Sequence, residues 1–137
     1  MSEIFGFDAY APREIAQRVE TVGVAKARLA LLPLALLGVL AGAFIGLGAL
    51  GFVIVKSDPG LGYAAGQWLG GLVFSLGLLL VVVAGAELFT GNNLIGVIGG
   101  LSRSLSWMQV IQLNAWSWIG NLAGSMGLAW LIVQSGV

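Results

Sequence analysis

Long stretches without a charged side chain constrain this sequence more than any other feature. No Asp, Glu, Lys or Arg occurs in residues 29–55, 60–86 or 104–137. A helix of about 20 apolar residues is enough to cross the hydrocarbon core of a membrane. We therefore expect three membrane-spanning helices, at about 30–55, 62–99 and 108–135.

The overall composition excludes a soluble globular fold. Hydrophobic residues make up 58% of the chain and charged residues only 9%. A soluble structure would have to bury three helices that are apolar on all sides, and 137 residues are too few to surround them. The sequence therefore predicts an all-α membrane protein embedded in a lipid bilayer.

The segment 1–28 precedes the first predicted span and carries charges of both signs. Ile15, Val19 and Val22 fall on one face at helical spacing, which indicates an amphipathic helix at the membrane surface. A solvated leader before the first span fits the same residues. A secretory signal is excluded because such signals lack this acidic load.

The distribution of positive charge predicts the orientation. Four Lys or Arg residues precede the first span, whereas Lys56 alone follows it and Arg103 alone follows the second. Positive residues favour the cytoplasmic side. We expect a multi-pass protein of the inner (cytoplasmic) membrane with its N-terminus in the cytoplasm.

Glycines spaced four residues apart predict close packing of the three spans. Such faces let helix backbones approach each other in a membrane, where lipid gives no hydrophobic driving force. The glycines in question are Gly38, Gly42 and Gly46 in the first span, Gly62, Gly66 and Gly70 in the second, and Gly120 and Gly124 in the third.

The stretch VVVAGAELFTGNNL, residues 81–94, interrupts the second span with polar residues and glycines. Irregular backbone within a membrane must be buried in protein or line an aqueous cavity. We predict a break near 87–93, with Gly85 and Gly91 supplying unusual dihedral angles. The side chains that could replace the lost backbone hydrogen bonds are Glu87, Thr90, Asn92 and Asn93.

Two further expectations follow from such a break. If a short helix resumes near Asn93, its N-terminal amides form a site suited to a small anion. For Glu87 we favour a buried cap that bonds the amides of the break over a direct role in transport, because a bare carboxylate would repel an anion.

The ten residues VVAGAELFTG, residues 82–91, resemble the N-terminal signature of the formate/nitrite transporter family. LAGAFIGLG (residues 40–48), FSLGL (74–78) and GNLAG (120–124) resemble parts of its first three spans. The resemblance implies an aquaporin-like channel of six spans, made of two inverted three-span repeats and assembled as a homopentamer. Residues 29–137 would then be one half-channel of that fold.

The resemblance also implies a function and a set of residues. Family members carry small monovalent anions of weak acids, such as formate, nitrite and hydrosulfide. By position, Phe74 and Leu78 would belong to an outer hydrophobic constriction. Leu88, Phe89 and Thr90 would belong to an inner one, on a mobile loop, and the residues supporting that loop would be Glu87, Gly91, Asn92 and Asn93.

The sequence departs from the family in containing only one repeat. The family's second repeat contributes a histidine and a lysine to the pore; this chain has no histidine, and we expect neither Lys26 nor Lys56 to lie where that lysine acts. We expect a fragment or a natural half that pairs with a second repeat. Pairing with an inverted copy of itself is disfavoured by the bias of positive charge.

A three-helix structural anchor or assembly subunit is the alternative function, although it gives no reason for the break. An enzyme is not expected, since one intramembrane carboxylate without His or Cys offers neither an acid/base pair nor a metal site. No cofactor or metal is predicted. Neither a phosphate-binding loop nor a basic patch for nucleic acid is present.

Overall fold

The computed structural model describes residues 10–136, and all regular structure in that range is helical. The expected all-helical fold is confirmed. In chain order the elements are α1 Pro12–Ala27, α2 Leu31–Lys56, a short 3₁₀ turn Pro59–Leu61, α3 Gly62–Ala84, α4 Phe89–Leu101 and α5 Trp107–Ser135. The first nine residues of the predicted N-terminal segment lie outside the described range.

Two stretches of the described chain are long and apolar enough to cross a membrane by length and composition: Leu31–Lys56 and Pro59–Ala84. α5 has 29 residues, but its Gln, Asn, Ser and Trp side chains lower its hydropathy and it does not meet the same criterion. α4 is only about 20 Å long at the rise of an α-helix. The third span, at α5, therefore stays a prediction.

α2 and α5 pack backbone against backbone through their glycines. A Cβ atom added at Gly124 would overlap the carbonyl group of Val39, and one added at Gly42 would overlap that of Asn121. Such contact is possible only where the residue that faces the neighbouring backbone lacks a side chain. The small-residue faces predicted for these two helices are confirmed.

α2 and α3 also approach closely, but at other glycines than those predicted. A Cβ atom added at Gly77 would lie 2.8 Å from the carbonyl oxygen of Phe44. Nearer the start of α3, the side chains of Phe52 and Lys56 fill the space between the helices and keep their backbones apart. The predicted glycines of α3 that do not make a backbone contact with α2 are Gly62, Gly66 and Gly70.

α1 folds against α4 and α5. Gly23 is buried there, and a Cβ atom at this position would lie 2.9 Å from the carbonyl oxygen of Ile95. The hydroxyl of Ser104, in the turn after α4, donates to the carboxylate of Glu20. α1 is therefore attached to the bundle, while its location at a membrane surface stays a prediction.

Candidate pore region at the interrupted helix

Residues 85–88 separate α3 from α4 and are not helical. Gly85 ends α3 in the left-handed conformation, with φ 65° and ψ 29°, which glycine adopts without the steric cost of a side chain. The interruption predicted near 87–93 thus begins earlier in the chain. The helix resumes at Phe89 and not near Asn93.

Five residues that were predicted to lie in the break belong to the first turns of α4 instead: Phe89, Thr90, Gly91, Asn92 and Asn93. Gly91, Asn92 and Asn93 are helical, and Gly91 does not supply an unusual dihedral angle. The Asn92 side chain bonds side chains from outside α4. Because it does not compete for the backbone of its own helix, it is compatible with helical structure.

The carboxylate of Glu87 is buried in the break and paired with α1. Only 2% of Glu87 is exposed, and its Oε1 lies 2.9 Å from Nζ of Lys26. Burying a carboxylate is costly unless it is paired and hydrogen-bonded. The predicted burial of Glu87 is confirmed, but the prediction of its partners is wrong: they are the side chains of Lys26 and Asn92, not the amides of the break.

Asn92 extends this polar contact to α5. Its Nδ2 donates to Oε2 of Glu87 at 2.8 Å and to Oγ of Ser117 at 2.6 Å. An amide nitrogen carries two hydrogens, so both bonds form together. Ser117 in turn donates to the carbonyl oxygen of Leu113 at 2.7 Å. A continuous series of polar contacts therefore links α1, the break, α4 and α5.

Asn121 of α5 supports the backbone of the break from a second direction. Its Nδ2 donates to the carbonyl oxygens of Glu87 at 2.8 Å and Gly38 at 2.9 Å, and its Oδ1 accepts from the amide of Phe89 at 2.9 Å. The amide of Glu87 donates to the carbonyl oxygen of Leu37 at 3.2 Å. α2 and α5 together thus satisfy backbone groups that the interrupted helix leaves free.

Two open cavities adjoin the break. One, which we call the Lys26 cavity, has a volume of about 330 Å³ and is lined by residues that include Lys26, Leu78, Leu88 and Gly91. The other, the Trp118 cavity, has a volume of about 210 Å³ and is lined by residues that include Leu88, Phe89, Thr90, Trp118 and Asn121. Leu88 is the residue common to the two linings.

Four of the five predicted constriction residues line these cavities, but they are divided between the two. Leu78 and Leu88 share the Lys26 cavity, whereas Phe89 and Thr90 lie in the Trp118 cavity. Phe74 lines neither cavity and is 41% exposed. The assignment of these residues to an outer and an inner constriction stays a prediction.

Lys26 and Asn121 line the cavities of this region, although neither was predicted as a site residue. Lys26 lies in the wall of the Lys26 cavity and pairs with Glu87; that neither it nor Lys56 replaces the lysine of the family's second repeat stays a prediction. Asn121 was not singled out. The sequence contained one signal for it: in GNLAG an amide side chain lies between two glycines of a helix-packing face. Such a side chain can reach the backbone of the neighbouring helix.

Comparison with known proteins agrees with this geometry. Residues 13–137 match the family model described as formate/nitrite transporter. The chain is 36% identical over 131 residues to a probable formate transporter of Methanothermobacter thermautotrophicus, covering 93% of this chain and 48% of the relative. It is 34% identical over 131 residues to the formate channel FocA of Escherichia coli K12, covering 95% of this chain and 46% of FocA.

Further relatives extend the comparison to nitrite transport and to a solved structure. The nitrite transporter NirC of Escherichia coli K12 is 34% identical over 97 residues, with 71% of this chain and 35% of NirC covered. A solved FNT family ion channel superposes with a TM-score of 0.80 at 29% identity, over 90% of this chain and 50% of that one.

The chain spans about half the length of the curated relatives it matches. The match nevertheless covers nearly all of its own residues, the interrupted helix included. The protein is therefore a membrane protein that belongs to the formate/nitrite transporter family, whose members are channels and transporters and not enzymes.

Proposed function

We propose that this chain supplies the N-terminal half of a membrane pore for small monovalent anions of weak acids, such as formate, nitrite or hydrosulfide. The names of its relatives, formate channel and nitrite transporter, support this substrate class. The observation that carries the proposal is the Lys26 cavity beside the interrupted helix, because its mostly apolar wall includes a lysine that is paired with a buried carboxylate.

The ion pair at this cavity has its lysine in the cavity wall and its carboxylate outside the wall. Lys26 lines the cavity and is 24% exposed, whereas Glu87 is 2% exposed and does not line it. We propose that an anion in the cavity lies nearer to the ammonium of Lys26 than to the buried carboxylate of Glu87. At short range and in surroundings of low polarity this difference in distance favours a negative solute.

The N-terminus of α4 adds a second positive influence. The first amides of an α-helix have no partner within the helix, and the aligned peptide dipoles place about half a positive charge at this end. Asn121 bonds the amide of Phe89. Thr90 and Gly91, the next two residues of α4, each line one of the two cavities.

Selectivity for small anions would arise because the apolar constrictions disfavour charge while these positive groups favour a negative one. Phe74 and Leu78 form the proposed outer constriction, and Leu88, Phe89 and Thr90 the proposed inner one. A narrow apolar ring penalises charge and excludes large solutes, while the cation and the helix end offset part of the penalty for a small anion. Passage is then passive or coupled to a proton.

The complete pore requires a second repeat, in the same chain or in a separate one. The large side chains of α3 that would contact lipid or that repeat include Trp68, 84% exposed, and Leu72, 68% exposed. We propose a homopentamer of complete channels, with α5 as a third span, in the inner membrane with the N-terminus on the cytoplasmic side.

Anion flux into liposomes tests this function. We would reconstitute the chain alone, and the chain together with the second half of the Methanothermobacter relative, and follow formate, nitrite and hydrosulfide entry by internal pH. Leu78→Ala tests the proposed outer constriction by widening it. Leu76→Ala is the matched control, because Leu76 is similarly exposed on the same helix and lines neither cavity.

We expect flux that depends on the second half. We also expect a leak of larger anions, such as acetate, in Leu78→Ala but not in Leu76→Ala. Flux by the chain alone would mean that one repeat assembles a pore by itself. If correctly inserted protein conducts no anion in either arrangement, the structural anchor is the better account of the molecule.

A further inference from the structure

Leu88 is the residue common to the linings of the two cavities, and a single residue of α5 bonds the backbone on both sides of it. We propose that Asn121 is the positioning residue that fixes Leu88 as the barrier between the Lys26 cavity and the Trp118 cavity. This inference rests on the proposed function, since it names the residue that sets the position of the inner constriction.

The hydrogen bonds of Asn121 bracket Leu88 in the sequence. Its Nδ2 donates to the carbonyl oxygen of Glu87 at 2.8 Å, and its Oδ1 accepts from the amide of Phe89 at 2.9 Å. These groups belong to the residues immediately before and after Leu88. One rigid side-chain amide therefore constrains both ends of the residue that lines both cavities.

The chemistry at position 121 is specific to an amide. Two carbonyl oxygens, of Gly38 and Glu87, require two donors, and the amide of Phe89 requires an acceptor. These partners determine which terminal atom of Asn121 is nitrogen and which is oxygen. An aspartate keeps the acceptor but has no hydrogen to donate when it is ionised, and an alanine keeps neither.

Asn121 is itself held in place by the contact between α2 and α5. The carbonyl group of Asn121 fills the space that a side chain at Gly42 would occupy, and its Nδ2 reaches across to the carbonyl oxygen of Gly38. The glycine face thus brings the backbone of α5 close enough to α2 for one short side chain to reach two other elements at once. Its position depends on backbone atoms and not on flexible side chains.

The Asn121 contacts are separate from the contact made by the Glu87 side chain. Lys26 and Asn92 bind the side-chain carboxylate of Glu87. Asn121 instead bonds the backbone carbonyl group of Glu87 and the backbone amide of Phe89. Removing Asn121 therefore leaves the ion pair in place but frees the backbone around Leu88. The Leu88 side chain can then leave its position, and the two cavities become continuous.

Hydrogen exchange of the full chain in detergent tests whether Asn121 holds the backbone. In Asn121→Ala we expect the amide of Phe89 to exchange about tenfold faster, as for the loss of one hydrogen bond, while amides in the middle of α2 keep their rates. In Asn121→Asp the amide of Phe89 should stay protected, because the acceptor remains. Asn114→Ala is the control: Asn114 is another partly buried asparagine of α5, its side chain donates to the carbonyl oxygen of Val110 in the same helix, and it lines neither cavity.

Exchange at Phe89 that is unchanged in Asn121→Ala would overturn the proposal. An equal increase at all amides of α2 and α5 would also overturn it, because Asn121 would then act only on general helix packing. Both results are obtained without any transport measurement, so they decide the question even if the proposed function fails.

Anion selectivity of the chain combined with a second repeat tests the role of Leu88 as a barrier. We expect Asn121→Ala to raise acetate flux relative to formate flux about tenfold, the effect of lowering a barrier by one hydrogen bond, with Asn114→Ala unchanged. An unchanged ratio together with faster exchange at Phe89 would show that Leu88 is not the barrier and would leave the anion-channel function intact. An absence of flux in the unaltered chain would count against the function alone.

Discussion

The ammonium of Lys26 and the carboxylate of Glu87 lie 2.9 Å apart, and this contact joins α1 to the break between α3 and α4. The N-terminal helix is thereby part of the candidate pore region. Its attachment places Lys26 in the cavity wall, while the carboxylate that pairs with it stays buried.

Replacing Lys26 by Gln should destabilise the fold, because it leaves the buried carboxylate without its cation. Removing one partner of a buried pair costs about 3–5 kcal/mol, and the partial exposure of Lys26 places the expected loss near the lower end. The measurement is the midpoint of thermal unfolding in detergent. Arg28→Gln is the matched control: it removes a nearby, exposed positive charge and should leave the midpoint nearly unchanged.

Replacing both members of the ion pair separates the contribution of charge pairing to stability from that of side-chain packing. Lys26→Met combined with Glu87→Met removes both charges together, and the double variant should recover most of the lost stability. Equal unfolding midpoints for the Lys26 and Arg28 single variants would contradict the view that the ion pair supports the break.

Asn92→Ala should be far more destabilising than Asn93→Ala, although the two residues are adjacent in α4. Asn92 is 1% exposed and donates to both Glu87 and Ser117, so its loss leaves buried acceptors unsatisfied at a cost of about 1–3 kcal/mol. Asn93 is only half-buried. Thermal unfolding of the two variants under the same conditions makes the comparison, and similar midpoints would show that the polar contacts through Asn92 add little.

The sequence was sufficient to predict features that depend on local pattern. Uncharged length predicts the helices, glycine spacing predicts the α2–α5 contact, and a carboxylate within an apolar run predicts the interruption. The bounds of the interruption were less accurate, because Asn92 can be either a loop residue or a helical residue with a distant partner. Its partner Ser117 lies on α5, and only the packing of the helices brings the two together.

Lys26 and Asn121 show why the rest could not be predicted. A lysine before the first apolar span ordinarily lies at the membrane surface, and its distance from Glu87 depends on how α1 folds against α4. Asn121 bonds backbone groups on two other elements, and a backbone group carries no mark in the sequence. The constriction residues came from the family resemblance alone, because leucine and phenylalanine in a spanning helix are ordinary packing residues.

Gly124→Ala should separate α2 from α5, whereas Gly127→Ala should not. A Cβ atom at Gly124 would overlap the carbonyl group of Val39, but one at Gly127 would meet no atom within 4 Å. In an open helical position, alanine is favoured over glycine by about 1 kcal/mol. We therefore expect a lower unfolding midpoint for Gly124→Ala and an unchanged or higher one for Gly127→Ala. The reverse order would mean that α2 and α5 do not pack in this register.

Thr90→Val should reduce anion flux through the chain combined with a second repeat, while leaving its folding intact. Thr90 is exposed in the first turn of α4 and lines the Trp118 cavity, and valine has nearly the same shape without the hydroxyl group. If that hydroxyl binds the passing anion, its loss should lower formate flux about tenfold, as expected for one hydrogen bond to a charged group. Thr21→Val is the control, because Thr21 is an exposed residue of α1 whose hydroxyl bonds the carbonyl oxygen of Gln17 and which lines neither cavity. Equal flux in the two variants would remove Thr90 from the anion path and would leave the apolar side chains of Leu88 and Phe89 as the proposed inner constriction.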